Sequence, residues 1–246
     1  MGRKTSNAAV LGEVGRLPLY PIYLSRCIKY WINIGRMGSD RYPKSSYDML
    51  KSLDDGGRKT WATNVKNNLY RYGFGIVWLN GNVGDIQGFM SAFKERVSDE
   101  CRQSWSQDIT ESPKLVTYSL FKSMLEPERY LQVIFSNRYR AALANFRCSC
   151  HRLEIEVGRH KNTPKAERIC AYCAHHGTRT VESEYHFIMI CPSYEVLRNK
   201  YIDNKYKRFP SICKFVALFN SSSAAVLTDL AAFIFHASKK RELDTL

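Results

Sequence analysis

The most constraining feature of this sequence is a group of four potential metal ligands within 22 residues. Cys170 and Cys173 are separated by two residues, and His186 and Cys191 follow after a gap of twelve. Three thiolates and one imidazole form a closed tetrahedral set, which is typical of structural zinc and leaves no coordination position open for catalysis. The sequence therefore predicts one structural Zn²⁺ bound by these four side chains. Because thiols must lose their protons to bind metal, we expect binding and local folding to be coupled.

Other cysteines and histidines leave alternatives open. His175 and His176 could replace the histidine ligand, although they follow Cys173 so closely that the loop would be cramped. A second cluster of cysteine and histidine, Cys-Ser-Cys-His at residues 148–151, is interpreted more simply as buried thiols at the end of a helix. The eight cysteines occur without a secretory signal, which favours a reducing compartment where clustered Cys and His bind metal more often than they form disulfides. We therefore predict an intracellular protein of the nucleus or cytoplasm that is not secreted.

The ligand spacing also fits a ββα nucleic-acid finger whose last histidine is replaced by cysteine. The core of such a finger needs an aromatic residue and an aliphatic residue at the places held here by Gly177 and Ser183. The sequence thus argues against an ordinary finger that reads a DNA groove. Phe187, Ile188 and Ile190 follow the histidine instead, and we predict that they dock on a helical body.

Apolar residues recur at helical spacing along most of the chain. They predict a mainly α fold, an irregular helical bundle followed by a small zinc-stabilised module and a C-terminal helix. The aromatic stripes on these helices are assigned to the core rather than to a platform for bases. Residues 147–168 are predicted to form a loop with a short turn or helix. Helices are predicted over residues 20–34, 42–53, 61–72, 85–109, 113–124, 127–146 and 223–241.

The positive charge is concentrated near the metal ligands. The chain carries a net charge of +14, which favours nucleic acid as a partner, although a solvated basic surface is the plainer alternative. Between residues 129 and 179, ten Lys and Arg face three acids, so this stretch alone carries +7. We interpret it as a surface that binds RNA or DNA mostly through phosphates. The candidate contacts are Arg138, Arg140, Arg147, Arg152, Arg159, Lys161, Lys165 and Arg168.

No catalytic apparatus is visible in the sequence. It contains no phosphate loop, dinucleotide fingerprint, HExxH motif or paired acids for two-metal chemistry. Glu182 and Glu184 lie near the metal ligands, but a closed ligand set leaves them no metal-bound water to activate. The apolar stretch 224–237 is too short to span a bilayer and contains Asp229. We predict no catalytic residues, no small-molecule substrate and no membrane partner.

A longer pattern surrounds the ligands. Residues 140–159 read R-x-x-L-A-x-F-R-x-S-x-H-x-L-x-I-E-x-G-R, and the Cys-Cys-His-Cys set follows. Upstream lie G-E-V-G-R-L-P-L at residues 12–19, K-Y-W at 29–31 and W-A at 61–62. From about residue 11 to 242, the chain resembles the C-terminal part of polyproteins of animal non-LTR retrotransposons, which carry an endonuclease, a reverse transcriptase and then a zinc-binding region.

The resemblance implies three segments: a helical linker region following the polymerase domain (1–127), a basic and zinc-binding module (128–200) and a C-terminal helical segment (201–246). The parent family is an RNA-directed DNA polymerase, but its acidic metal-binding motif is absent, since Asp54-Asp55 lacks the preceding aromatic residue. We therefore expect a non-catalytic fragment that holds RNA or target DNA. A zinc-stabilised scaffold for an acidic protein and a non-functional remnant are the alternatives, and the oligomeric state is left open.

Overall fold

The computed structural model of the chain describes residues 5–81 and 83–244. Within this part the chain is mainly α-helical, as predicted, and its only β-type pairing is an isolated antiparallel bridge between Ile169 and Val181. The helices are α1 (Asn7–Val14), α2 (Tyr20–Gly35), α3 (Tyr42–Asp55), α4 (Trp61–Arg71), α5 (Gly75–Asn80), α6 (Ile86–Glu111), α7 (Val116–Phe121), α8 (Tyr130–Val133), α9 (Asn137–Arg147), α10 (Glu154–His160), α11 (Ala171–His175), α12 (Glu195–Tyr201), α13 (Asn204–Lys207), α14 (Ile212–Phe219) and α15 (Ala224–Asp244).

The chain forms two compact units. The helical unit comprises residues 17–105, and the metal unit comprises the described residues up to Arg16 together with those from Ser106 onward. This division differs from the predicted segments 1–127, 128–200 and 201–246. The reason is long-range pairing inside the metal unit: the Tyr118 hydroxyl donates to the Ala9 carbonyl at 3.3 Å, and Glu13 pairs with Arg147. Such contacts attach α1 and α7 to the basic helix α9.

The core of the helical unit is built from α2, α3, α4 and the first part of α6. Ile28, Leu69 and Phe93 are fully buried in it. The indole N–H of Trp31 donates to the Tyr47 hydroxyl at 2.9 Å, so the buried polar atoms of both rings are paired. The four helices predicted in this region are confirmed to within two residues at each end. Phe89 and Phe93 of α6 pack in this core, as predicted for core side chains rather than a base platform.

In the metal unit, α9 packs along α15, and aromatic rings connect both helices to the metal-ligand segment. The Phe187 ring lies 5.6 Å from that of Phe146 on α9 and 6.1 Å from that of Phe233 on α15. Phe187 and Ile188 are fully buried, which confirms the predicted docking, whereas Ile190 is exposed and corrects it. The apolar residues that follow the histidine therefore anchor the ligand segment to the two principal helices of its unit.

The helix predicted over residues 127–146 is in fact two helices, α8 and α9. The backbone between them is extended at Ile134 (ψ 104°) and at Ser136 (ψ 112°), which precedes the first residue of α9. The Ile134 side chain is buried, whereas that of Phe135 is exposed. The apolar pattern alone did not indicate this break, because buried positions continue on both sides of it.

No single helix among the described residues is long and apolar enough to cross a bilayer. The pair α14–α15, bent by 108°, meets the length and composition requirement only when its two helices are taken together.

Candidate metal centre

The first two candidate ligands lie on a short hairpin. Cys170 directly precedes α11, and Cys173 lies within it. The Cys170 amide donates to the Thr180 carbonyl at 2.9 Å, and the Thr178 amide donates to the Cys173 carbonyl at 2.8 Å. Gly177 reverses the chain with φ +76°, a conformation that glycine adopts without steric cost. The hairpin thus brings both thiols of the C-x-x-C pair to one side.

The other two ligands are brought together by a turn of π-helix at His186–Ile190. Its wider spiral lets the Cys191 amide donate to the His186 carbonyl, five residues back, at 2.8 Å. The Ser183 hydroxyl accepts a hydrogen bond from the His186 amide at 3.1 Å and fixes the start of the turn. Side chains five residues apart point in different directions on an α-helix, but this π-helical turn brings those of His186 and Cys191 together.

All four side chains are buried, and their ligand atoms lie within 4.8 Å of one another. The Cys170 and Cys191 sulfurs are 3.9 Å apart, and the Cys173 sulfur is 3.5 Å from His186 Nε2. A tetrahedral ion with bonds of about 2.3 Å to sulfur and about 2.0 Å to nitrogen would place these pairs about 3.8 Å and about 3.5 Å apart. These two distances match a tetrahedral site, and the group could therefore hold one metal ion.

The protonation of the three thiols favours a cation between them. The Cys170 and Cys191 sulfurs share a hydrogen bond, which lowers the pKa of Cys170 to about 3. Burial and the neighbouring Cys170 charge raise the pKa of Cys173, while the same hydrogen bond and burial raise the pKa of Cys191. Each buried thiolate raises the pKa of the sulfurs beside it, so the three thiols do not all ionise readily on their own. A divalent cation would let all three ionise.

A buried arginine supports the second half of the site. The Arg198 guanidinium donates to the Ile188 and Cys191 carbonyls, each at 2.7 Å. Burial lowers the pKa of Arg198, whereas the nearby Cys191 thiol acts in the opposite direction. Arg198 therefore holds the π-helical turn closed and places a positive charge beside the sulfurs. The pattern of cysteines and histidines in the sequence does not predict that Arg198 supports the site.

Glu182 ties the ligand segment to the C-terminal helix. Its carboxylate accepts two hydrogen bonds of 2.7 Å from the Arg241 guanidinium and a third, also 2.7 Å, from the Glu154 amide at the start of α10. Arg241, a basic residue near the end of α15, therefore has a specific partner.

Glu184 is also engaged in structure. Its carboxylate lies 3.1 Å from His151 Nε2 and accepts a hydrogen bond from the Thr117 hydroxyl at 2.9 Å. Burial by itself raises the pKa of Glu184, but the hydrogen bond and charge of His151 lower it below its usual value. This carboxylate therefore joins α7, the 148–151 turn and the ligand segment.

The other candidate ligands lie outside the group. His175 and His176 are exposed, and no second set of three or more converging ligands is present among the described residues. Cys148 follows the last residue of α9 and is fully buried, with its pKa raised by burial. That agrees with its interpretation as a buried thiol at a helix end. Cys150 is half-buried, with its sulfur 3.2 Å from the Thr5 hydroxyl.

The structure divides the eight predicted nucleic-acid contacts by exposure. Four side chains are exposed and four are partly or fully buried. The exposed ones are Arg138, Arg152, Lys161 and Lys165, and the others are Arg140, Arg147, Arg159 and Arg168.

Arg147 is a clear correction, because its side chain is only 1% exposed. Its Nε lies 2.9 Å from Glu13 Oε2, its Nη2 lies 2.8 Å from Glu128 Oε2, and the guanidinium carbon lies 4.5 Å from the centre of the Phe121 ring. Burial by itself lowers the pKa of Arg147, but the two carboxylates outweigh it and hold the group charged. A side chain enclosed in this way cannot reach a phosphate.

The three half-buried arginines are also committed to internal contacts. Arg168 donates to the Thr163 carbonyl at 2.9 Å and the Ile155 carbonyl at 2.8 Å, and it fills the space that a Cβ on Gly158 would occupy. Arg159 pairs with Glu156 at 2.8 Å, and Arg140 donates to the Ile134 carbonyl at 3.2 Å. These three arginines stabilise the 134–168 segment through internal contacts. Among the eight candidate contacts, the positive charge that a ligand can reach therefore lies on the four exposed side chains.

Comparison of the chain with protein-family models, curated proteins and solved structures finds no match.

Proposed function

We propose that this chain is a non-catalytic, zinc-stabilised nucleic-acid-binding fragment of a non-LTR retrotransposon reverse transcriptase. It holds RNA or target DNA through an exposed basic surface. The observation that carries the proposal is the buried Cys₃His group, which lies in the same compact unit as the exposed residues Arg138, Arg152, Lys161 and Lys165.

The donor set supports zinc in particular. Three thiolates and an imidazole in tetrahedral arrangement suit Zn²⁺, whereas Mg²⁺ and Ca²⁺ prefer oxygen ligands. With Zn²⁺ the site would carry a single net negative charge, which the adjacent Arg198 guanidinium offsets. The carboxylates of Glu182 and Glu184, which precede His186 in the sequence, are held by Arg241 and His151. A structural zinc that holds the 170–191 segment on α9 and α15 fits these contacts.

The first test is the metal content of the purified chain by elemental mass spectrometry. We expect about one zinc per chain in the wild type and loss of zinc in Cys191→Ser, because three remaining ligands leave the tetrahedron open. Cys213→Ser is the matched control, since Cys213 is exposed and lies outside the group. A folded wild-type chain without metal would contradict the proposed zinc site.

The second test is binding of labelled RNA and DNA at several salt concentrations. Because phosphate contacts release counterions, we expect the logarithm of the association constant to fall linearly with the logarithm of salt, by about 0.7 to 0.9 for each phosphate neutralised. A slope near zero would contradict the proposal. Salt-dependent binding to an acidic protein, with no preference for RNA or DNA over heparin, would favour the scaffold alternative instead.

Arg198→Met should weaken zinc binding without touching a ligand. The change removes the two hydrogen bonds that close the π-helical turn and the compensating charge, so we expect zinc affinity to fall about 10- to 100-fold. Competition with a coloured chelator measures this affinity. Arg208→Met is the control, because Arg208 is an exposed arginine of the same unit. Equal affinities of the two variants would show that Arg198 does not support the site.

A further inference from the structure

A groove between α9 and α15 brings basic, aromatic and hydrogen-bonding side chains together. Its cavity measures about 360 Å³, which is within the range of small-ligand sites. The apolar part of the lining includes the rings of Phe146 and Phe235. Arg152 and Lys239 supply positive charge, and Asn145 supplies an amide. Concave shape, an aromatic surface and cationic side chains therefore occur at one place on the metal unit.

The Phe235 ring is accompanied by two cations. Lys239 Nζ lies 4.7 Å from the ring centre, and the Arg138 guanidinium carbon lies 5.5 Å from it. Phe235 itself is half-buried, and the Tyr139 ring packs edge-on against it at 5.4 Å. An aromatic ring with cations close by is the combination that single-stranded nucleic acid requires, because bases stack on rings while phosphates pair with Lys and Arg.

Positive charge and aromatic rings continue from Phe235 to its neighbour His236. The His236 and Tyr201 rings are stacked at 5.6 Å with an interplanar angle of 4°, and Lys200 Nζ lies 5.1 Å from the Tyr201 ring centre. Burial and the charges of Lys200, Arg138 and Lys239 lower the pKa of His236. The surface beside the groove thus attracts anions at neutral pH.

The groove lining contains one acidic residue and three Lys or Arg side chains, one of which is already paired. Glu242 is the acidic residue of the lining, and Arg241, also in the lining, is engaged by Glu182. The excess charge offered to a ligand is therefore carried by Arg152 and Lys239, with Arg138 next to Phe235. Such a site favours a ligand that combines phosphate with a flat ring.

We infer that the α9–α15 groove binds a nucleotide of single-stranded nucleic acid, with its base against Phe235 and its phosphates near Arg152 and Lys239. The inference rests on the proposed function and specifies the face and the form of nucleic acid. Paired bases in a duplex are not free to stack on a ring inside a concave site, so unpaired strands are preferred.

The test compares binding of a labelled oligouridylate, a labelled oligothymidylate and a blunt-ended, fully paired duplex to the full chain. We expect tighter binding of the two unpaired strands. Phe235→Leu should weaken their binding roughly tenfold or more, because a stacked base is lost. Lys239→Gln should lower the salt slope for single strands by about 0.7, because one phosphate contact is lost.

Two matched controls are available in the same unit. Phe209→Leu removes an exposed ring that also has a cation beside it, since the Arg208 guanidinium lies 5.4 Å from its centre. Lys205→Gln removes a lysine placed 4.9 Å from the Tyr206 ring centre. Neither residue lines the groove, so both variants should bind like the wild type. Thermal melting by circular dichroism identifies any variant that fails to fold, and Lys239 is exposed, so its replacement should not affect folding.

The outcomes separate the two proposals. Wild-type binding that Phe235→Leu and Lys239→Gln leave unchanged would overturn the groove and leave the proposed function standing. Equal affinity for paired and unpaired probes would overturn base stacking. So would a loss of heparin binding in Phe235→Leu that is as large as the loss of single-strand binding in the same variant. No binding of any nucleic acid by a zinc-loaded chain would overturn both.

Discussion

Arg147→Met is expected to lower the unfolding free energy of the metal unit by about 3–5 kcal/mol. The Arg147 guanidinium faces the carboxylates of Glu13 and Glu128, and the Glu13 side chain is completely buried. Methionine retains much of the side-chain volume but leaves Glu13 without its cationic partner. Removing one member of a buried ion pair is costly because the remaining charge has lost both water and its partner.

Urea unfolding followed by two probes measures this effect. All four tryptophans lie within residues 17–105, so their fluorescence follows the helical unit, whereas far-ultraviolet circular dichroism follows helices of both units. We expect the change in the dichroism transition to come from the metal unit. Arg152→Met is the control, because Arg152 is exposed and its replacement should cost less than about 0.5 kcal/mol.

The double variant Glu13→Gln with Arg147→Met measures how much of the lost stability comes from leaving the Glu13 carboxylate without a partner. It removes the buried carboxylate charge together with the arginine, so its loss of stability should be smaller than the sum of the two single losses. The Tyr130 hydroxyl, which donates to Glu13 at 2.6 Å, can still pair with the glutamine oxygen. If Arg147→Met costs no more than Arg152→Met, or if the single losses simply add, then the buried ion pair does not stabilise the unit.

The burial of Arg147 could not be predicted from the sequence. Its charge and its position in a basic stretch suggested a nucleic-acid contact, but its partner Glu13 lies 134 positions earlier in the chain. Nothing local distinguishes Arg147 from Arg152, which is exposed. By contrast, the metal ligands are recognisable because C-x-x-C and H-x₄-C lie within 22 residues, and a short hairpin and a single turn bring them together.

The helices also divide into those with a clear local signal in the sequence and those without one. A long amphipathic helix such as α2 is visible in the sequence because one apolar stripe faces one core. The short helices α12, α13 and α14 escaped prediction, since four to eight residues give too little periodicity. The break before α9 did have a local signal, because Ser136-Asn137 is a common way to start a helix. The continuing apolar pattern outweighed this signal.

Removal of the proposed zinc ion should lower the stability of the metal unit more than any of the substitutions. Zinc binding contributes about 10–16 kcal/mol to the folding of zinc-finger peptides near neutral pH, whereas a whole domain is stable by only about 5–15 kcal/mol. In this chain the ligand segment also supplies Phe187 and Ile188 to the core of the metal unit. We therefore expect a strong chelator to unfold residues 169–198 and to loosen the packing of α9 on α15.

Hydrogen exchange followed by mass spectrometry locates this effect along the chain. After chelation, amides from Phe187 to Cys191 should exchange at rates near those of an unfolded peptide, and added zinc should restore their protection. Amides of α4, which belong to the helical unit, serve as the internal reference, and Cys213→Ser with zinc should exchange like the wild type. Apo protein that keeps full protection at Phe187 would mean that aromatic packing on Phe146 and Phe233, rather than the metal, holds the segment in place.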